Sequence, residues 1–530
     1  MGVIVIVFAT FLFIPAILLL VIVGRSKQGP VKVAETLNTK PSRLSQKDID
    51  QRKAGNSVLF GTDLITKQAY YQPERIRPST TAVVGRTGMG KTTLVIASTI
   101  DSDISKLNVA VVVIDGQRTS LTDETIALCK HYNRPYVVYP AAGFNPLGGW
   151  GSPEERAEGF INVVKQLGGT PTSDAGKFFG RQAERILRRS LPVLERYGTR
   201  APTLRELNLF LTNGDLRQAT LEAIGDCTEA RDYYEAVSGI GEKDWAASVA
   251  DVCGMIDSIL VGDRKRLYCD TEAISLEEHI EAKKVIIIRE GGYKGTTDNI
   301  LGLMFMIRLQ EYARLRGDDE DNFLVSVVVD ESYMYWSESY PSFLAQCRKT
   351  NIAQTILFQS FEQFAPYQAL LTASCLTWVI LPVLTKDAKF VAEEIGQRLH
   401  EFTSNSNQEG AVKGSETHNY SYDYLMQPHH ISELRQGQAI IISQDGRQRD
   451  VTRKVKLVPK LNLKRERYQE PKVAIVSLPE LMWDQVRQIG RTFPREIGMV
   501  VQGQVGAVGE NVNEGWGDDW LVDNDGQESA

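Results

Sequence analysis

The most regular feature of this chain is a series of short apolar runs, each bounded by polar residues. Such runs cover Thr81 to Val84, Asn108 to Asp115 and Tyr136 to Tyr139, and a helix-compatible segment spans residues 121–132. Continuous apolar strands are typical of a parallel sheet that is covered on both faces. Their alternation with helical segments indicates βα repeats. The pattern therefore predicts an α/β fold with a parallel-rich central sheet.

The strand pattern then stops and returns much later in the chain. In between, six apolar residues share one helical face: Phe179, Ala183, Ile186, Leu187, Leu191 and Leu194. Thr203 and Glu206 have the spacing of a capping box, which favours a helix start there. Later strand patterns cover residues 284–288, 323–330, 353–358, 375–381 and 438–443. The sequence thus predicts one α/β domain, residues 78–150 and 276–460, interrupted by an all-α domain at 151–275.

The N-terminal segment has a different character. Residues 3–24 carry no charge and are long enough to cross a bilayer, so residues 1–25 are predicted to form a transmembrane helix. Arg25, Lys27 and Lys32 follow the span, which places the bulk of the chain in the cytoplasm. A cleaved signal peptide is the alternative, but it requires a positive segment before the apolar run. We expect a single-pass anchor in the inner membrane.

Three other segments lack the α/β pattern. Residues 26–77 are predicted to be a cytoplasmic linker or stalk, and residues 461–495 a C-terminal extension. Residues 496–530 contain acidic residues but no lysine or arginine, which predicts a disordered tail. Trp516 and Trp520 lie among its acids. The tail is therefore either a docking segment with aromatic anchors or an inert solubilising segment.

The cysteine content indicates the redox state of the cellular compartment, whereas the net charge gives little information about the binding partner. The net charge of −6 does not indicate nucleic-acid binding, although a local basic channel is compatible with it. The six cysteines are scattered and contain no C-x-x-C pair. This argues against a zinc site or a disulfide framework and fits a reducing compartment.

A phosphate-binding loop follows the first apolar run. Gly85, four further residues and Gly90-Lys91-Thr92 match G-x-x-x-x-G-K-[ST], between a strand and a helix. Glycines allow backbone amides to surround a polyphosphate. Lys91 would reach the β- and γ-phosphates of ATP, and Thr92 would bind Mg²⁺. The expected nucleotide contacts are Gly85, Arg86, Thr87, Gly88, Met89, Gly90, Lys91, Thr92 and Thr93.

A second motif supplies two carboxylates. The apolar run from Phe323 ends in Asp330 and Glu331, and ligands of open α/β sheets bind at such strand ends. Asp330 would hold Mg²⁺, and Glu331 would act as general base toward water. The alternative is a strand capped by two solvated acids. Together with the phosphate loop, the pair predicts an ATP hydrolysis site.

In this arrangement the chain resembles the coupling proteins of type IV secretion, of the TraG/TraD type, within the FtsK/HerA-like translocases. The resemblance spans residues 78–460. The matching blocks are VVGRTGMGKTT, VVVIDG, Asn145-Pro146-Leu147, residues 178–187, VVVDE, residues 347–353 leading to Gln359-Ser360, and residues 427–438. Three features depart from it: Gly116 begins a Gly-Gln-Arg-Thr run where Lys-Gly-Glu is usual, Phe358 replaces a common threonine, and one membrane span is seen where many members have two.

The resemblance implies a RecA-like P-loop NTPase core that works as a homo-hexamer at the inner membrane. It implies coupling of ATP hydrolysis, with Mg²⁺, to translocation of DNA or nucleoprotein into a conjugation channel. The implied partners are DNA, expected to be single-stranded, relaxase or relaxosome proteins, and type IV secretion channel components. Three alternatives stay open: an ATP-dependent receptor for protein substrates, an FtsK/HerA-type DNA pump unrelated to conjugation, and a scaffold with a vestigial nucleotide site.

The resemblance also suggests roles for residues outside the two motifs. Gln359 would sense the γ-phosphate, or be only a polar strand end. Arg348 would act as an arginine finger on a neighbouring subunit, or with Lys349 only cap a helix. For DNA contact the candidates are Arg264, Lys265 and Arg266.

Overall fold

The computed structural model describes most of the chain between residues 55 and 484. Within this range it leaves out residues 117–119, 169–173, 263, 291–298, 320, 338–339, 407–414, 445–448, 465–466 and 470–479. The predicted membrane span at 3–24 and the acidic tail at 496–530 lie outside the described residues. No helix in the described part combines the length and apolar character needed to cross a bilayer.

An eleven-stranded sheet forms the centre of the fold. The strands of the chain are β1 Val58–Asp63, β2 Ala69–Gln72, β3 Thr80–Val84, β4 Ala110–Asp115, β5 Tyr136–Tyr139, β6 Val285–Arg289, β7 Val325–Val329, β8 Ile352–Phe358, β9 Cys375–Ile380, β10 Gln397–Ser406, β11 Ser415–Tyr424, β12 Gln438–Gln444 and β13 Arg449–Leu457. The sheet order is β2-β1-β13-β12-β9-β3-β8-β7-β4-β6-β5, and β10 and β11 form a separate hairpin. The seven strands from β9 to β5 are parallel, and the other four are antiparallel. The predicted α/β fold with a mostly parallel sheet is confirmed.

Helices cover both faces of the sheet. They are α1 (Lys91–Val95, a π-helical turn Ile96–Ile100, and Asp101–Ile104), α2 Ser120–His131, α3 Pro153–Gly168, α4 Asp174–Gly198, α5 Leu204–Thr212, α6 Gly214–Ile224, α7 Thr228–Val237, α8 Glu242–Ile259, α9 Arg264–Leu267, α10 Leu276–Glu281, α11 Ile300–Arg316, α12 Tyr340–Gln346, α13 Gln368–Ser374, α14 Thr385–Ile395 and α15 Pro428–Ser432. Between β5 and β6 the described residues form α3 to α10 and no strand. We refer to α3–α10 as the helical insertion.

The central strands are continuous apolar runs because both of their faces are buried. Every residue of β3, β4, β7 and β8 is buried. In β4, Val111 and Val113 belong to the core with α1 and α2, whereas Val112 and Ile114 belong to the core with α11 and the helical insertion. This alternation follows from the two-residue period of a strand. The sheet is therefore the shared wall of two cores.

Residues 58–72 correct the predicted linker at 26–77. They form β1 and β2, which extend the central sheet, with β1 pairing to β13. The strand β1 is mostly buried but exposes Thr62 and part of Leu59, and it contains Gly61 and Asp63. A short strand with polar positions carries only a weak apolar signal, so its place in the sheet is set by tertiary pairing.

Described residues beyond β13 contact α2 and then, at residues 481–484, the helical insertion. Lys460 pairs with Glu124 of α2 at 2.9 Å. Trp483 is fully buried, and its indole Nε1 donates a hydrogen bond to Thr220 Oγ1 of α6 at 2.9 Å. The Met482 amide donates to the Glu206 carboxylate of α5 at 2.6 Å. We call residues 481–484 the C-terminal anchor.

Candidate active site

The parallel strands bring the predicted motifs to one edge of the sheet. The phosphate loop follows β3, Asp330 and Glu331 follow β7, and Gln359 follows β8. The strand β8 lies between β3 and β7, with Val84 opposite Phe358 and Val329 opposite Ile356. All three segments therefore leave the sheet at the carboxyl ends of adjacent strands, where ligands of open α/β sheets bind.

The phosphate loop is anchored at its first two residues by backbone hydrogen bonds to neighbouring segments. The amides of Gly85 and Arg86 donate to the carbonyls of Phe358 and Pro382, at 3.3 and 3.0 Å. Gly90 has φ +93°, a left-handed conformation that favours glycine. In the described structure no backbone carbonyl accepts from the amides of Thr87, Gly88 or Gly90. Such amides at the start of a helix are suited to bind an anion.

Lys91 lies inside the loop and close to both acids. Its Nζ donates to the Gly85 carbonyl at 2.8 Å, and its side chain is buried. Burial lowers the pKa of the Lys91 ammonium, while Glu331 and Asp330 raise it. The cation and the two carboxylates therefore share one electrostatic environment. A phosphate oxygen is the stronger acceptor that would draw Nζ away from the Gly85 carbonyl.

The two acids differ in their surroundings. Asp330 is buried, and burial raises the pKa of its carboxyl to about 7, with Glu331 and Asp115 adding to the rise and Lys91 opposing it. Glu331 has φ 48° and ψ 49°, a left-handed conformation that is rare outside glycine. Its Oε2 is buried and has no hydrogen-bond partner among the described groups. An unpaired carboxylate oxygen at this position is available to accept a proton from water.

Gln359 connects the acids to the phosphate loop. Its Nε2 donates to Glu331 Oε1 at 2.8 Å, and its Oε1 accepts from Thr87 Oγ1 at 2.9 Å. The backbone amide of Gln359 donates to Gln363 Oε1 at 2.8 Å. The structure thus places this predicted residue beside Glu331, while the role of Glu331 as general base and that of Gln359 toward a γ-phosphate stay predictions.

The residues present fit a Mg²⁺-nucleotide. The loop amides and Lys91 suit phosphate oxygens, and the Thr92 hydroxyl and the Asp330 carboxylate are the oxygen donors that Mg²⁺ prefers. Thr92 lies in the first turn of α1 and Asp330 directly follows β7, so both lie at the same sheet edge. The two oxygen donors predicted for the metal therefore lie at the edge of the sheet that carries the phosphate loop.

Other predicted residues lie elsewhere. Arg348 is exposed and precedes the first residue of β8, which places it at the sheet edge opposite the phosphate loop of its own chain.

Arg264, Lys265 and Arg266, the predicted DNA contacts, form the short helix α9 and are only partly exposed. Burial lowers the pKa of Lys265, and the neighbouring Arg205 lowers it further. The basic triplet is thus not a fully exposed cationic patch.

The turn that precedes β12 also reaches the phosphate loop, and the sequence did not predict this. Gln436 Nε2 donates to the Gly88 carbonyl at 3.4 Å. The turn precedes β12, which is antiparallel to β9, so β12 begins at the edge where the parallel strands end. To predict this contact, the direction of β12 in the sheet must be known, and an apolar run in the sequence does not indicate strand direction.

A buried glutamate behind the site predicts a pH-dependent stability. Glu290 accepts from the Tyr335 hydroxyl at 2.8 Å and from the Gly302 amide, and burial raises the pKa of its carboxyl to about 8. Because this pKa lies above the unfolded value of about 4.3, the folded state keeps the proton between the two values. The contribution of protonated Glu290 to the free energy of unfolding is therefore full below the unfolded pKa. It decreases as the pH rises above that value and is lost above about 8.

We expect Glu290→Gln to reduce this pH dependence. The wild-type free energy of unfolding should fall by about 2–5 kcal/mol between pH 5 and pH 8.5, and the variant should lose less. Urea unfolding at both pH values measures the difference, with Glu222→Gln, at an exposed position, as the control. Equal losses in wild type and Glu290→Gln would contradict the assignment.

Comparison with known proteins bears on the family and on the fold. Residues 301–449 match a protein family described as "Type IV secretory system Conjugative DNA transfer". This segment contains Asp330, Glu331 and Gln359, while the phosphate loop lies outside it. No curated protein matches the sequence.

Two solved structures share the fold. The unbound monoclinic form of the bacterial conjugative coupling protein TrwBdeltaN70 matches with a TM-score of 0.58 and 14% identity, covering 81% of this chain and 95% of that chain. Its trigonal form in complex with sulphate matches with a TM-score of 0.53 and 13% identity, covering 82% and 95%. The resemblance predicted from the sequence is confirmed: residues 301–449 match the family of conjugative DNA transfer in type IV secretory systems, and the fold is similar to that of a bacterial conjugative coupling protein.

Proposed function

We propose that this chain is a membrane-anchored ATPase of conjugative type IV secretion, which couples ATP hydrolysis to the translocation of DNA or nucleoprotein. The observation that carries the proposal is the meeting of the phosphate loop, Asp330, Glu331 and Gln359 at one sheet edge. The anchor would be residues 3–24, and the working form a homo-hexamer. Relaxase proteins and channel components are the proposed partners.

The chemistry proposed for the site follows from its side chains. The loop amides and Lys91 bind the phosphate oxygens and neutralise charge as it develops. Bound Mg²⁺ would neutralise further negative charge on the β- and γ-oxygens. Glu331 Oε2 accepts the proton of the attacking water, and Gln359 holds the opposite oxygen of that carboxylate. Arg348 lies far from its own loop, so a contribution to catalysis would be made in a neighbouring subunit.

A turnover assay with and without DNA tests the proposal. Full-length protein in detergent should hydrolyse ATP, and single-stranded DNA should stimulate turnover by several-fold, with double-stranded DNA as the comparison. A steep loss of stimulation with added salt is expected because phosphate contacts release counterions. Glu331→Gln in the same preparation controls for contaminating hydrolases.

Each outcome separates a different part of the proposal. Hydrolysis that ignores DNA in an assembled ring would contradict the DNA motor and favour a receptor for protein substrates. Mg²⁺-ATP binding without turnover, with or without DNA, would favour a scaffold. Loss of membrane association on deleting residues 1–25 tests the anchor independently of hydrolysis.

A further inference from the structure

We propose that Thr87 is a positioning residue for hydrolysis, which orients the Gln359 side-chain amide so that its nitrogen faces Glu331. The proposal rests on the ATPase function above. Thr87 occupies the third position of the phosphate loop, where backbone amides and not side chains are expected to bind phosphate. Its hydroxyl therefore has no necessary part in nucleotide binding.

The direction of the amide follows from which groups can donate. An ionised carboxylate only accepts hydrogen bonds, so the group that faces Glu331 Oε1 at 2.8 Å must be Gln359 Nε2. Gln359 Oε1 then points to Thr87 Oγ1 at 2.9 Å, and a hydroxyl can donate to it. The turned amide would place Oε1 against the carboxylate, and two acceptors would face each other. Thr87 stabilises the productive orientation because it offers a donor to Oε1.

The backbones of Gln359 and Thr87 are both held by hydrogen bonds, which leaves the orientation of the Gln359 side-chain amide as the variable. The Gln359 backbone is fixed by the bond from its amide to Gln363 Oε1 at 2.8 Å. Thr87 is held between the Arg86 amide, bonded to the Pro382 carbonyl at 3.0 Å, and the Met89 amide, bonded to the Arg86 carbonyl at 3.2 Å. With both backbones fixed, the Thr87 hydroxyl links the shape of the phosphate loop to the placement of the general base. If the phosphate loop moved from this shape, the Thr87 hydroxyl would no longer orient the Gln359 side-chain amide. That amide would then no longer position Glu331.

Thr87→Val tests the proposal because valine keeps the shape and removes the donor. We expect kcat to fall about 3- to 10-fold, the rate equivalent of one neutral hydrogen bond, with the Kd of a fluorescent ATP analogue unchanged within about 2-fold. Thr87→Ser should restore kcat, since it returns the hydroxyl. Thr212→Val, at an exposed threonine of α5, is the matched control.

A double-mutant cycle separates positioning from a general structural effect. If Thr87 acts through Gln359, Thr87→Val added to Gln359→Ala should cause no further loss of kcat. Full additivity, a weakened Kd with unchanged kcat, or wild-type kcat in Thr87→Val would each overturn the proposal. A wild-type protein that binds but does not hydrolyse ATP would instead contradict the proposed function.

Discussion

Glu331→Gln is expected to lower the turnover number by about 100- to 10,000-fold, the usual contribution of a general base. The glutamine side chain has the same shape, but its amide cannot take a proton from water. Phosphate binding depends on the loop amides and Lys91, so nucleotide affinity should change little. Steady-state hydrolysis and equilibrium binding of a fluorescent nucleotide, on the same sample, measure the two effects separately.

Lys91→Ala is the comparison that separates binding from chemistry. It removes the buried cation of the phosphate loop and should weaken nucleotide binding as well as turnover. A Glu331→Gln variant that turns over at a tenth of the wild-type rate or faster would show that another group accepts the proton. Loss of binding in Glu331→Gln would instead indicate a structural role for this carboxylate.

Trp483→Ala is expected to destabilise the helical insertion by about 3–5 kcal/mol. The indole is fully buried against the insertion and its ring centroid lies 6.4 Å from that of Tyr197. Removing it leaves a cavity between helices that are distant in sequence. Thr220 keeps a partner, because its hydroxyl also donates to the Leu216 carbonyl at 2.7 Å. The loss should therefore come from packing more than from an unpaired hydroxyl.

Hydrogen exchange measures this effect where it should occur. Amides of α5 and α6 should exchange faster in Trp483→Ala, while those of β4 and β7 should keep their protection. Trp483→Phe, which keeps a ring and loses the N–H, should cost only about 1 kcal/mol. Unchanged protection of α5 and α6 in Trp483→Ala would show that the C-terminal anchor does not stabilise the insertion.

The sequence predicted those parts of the fold whose signal is local. Strands β4 and β7 are buried on both faces, so they read as continuous apolar runs, and the phosphate loop and paired acids stand at strand ends. Strands β1 and β13 escaped prediction because they contain exposed and polar positions, such as Thr62 in β1 and Lys454 and Lys456 in β13, whereas the antiparallel β12 is an apolar run and was predicted. Their place depends on pairing partners that are hundreds of residues away.

The same distinction applies to the site. Lys91, Thr92, Asp330 and Glu331 were predictable because each belongs to a motif with fixed spacing. The contact of Gln359 with Thr87 depends on β8 lying between β3 and β7, and sequence order does not reveal the order of strands in a sheet. Trp483 escaped for a similar reason, since a short apolar segment in the C-terminal extension does not indicate which helices it packs against.

The path of the chain after β13 has a mechanical consequence. Lys460 and Tyr468 lie against α2, where the Tyr468 amide donates to Asp123 at 2.8 Å, and the C-terminal anchor then sits in the helical insertion. A load that pulls on the chain beyond Asp484 would therefore reach the insertion first, the face of α2 next, and β13 last. Tension applied at the C-terminus would therefore act on the contacts of the helical insertion before it reached the sheet edge that carries the phosphate loop.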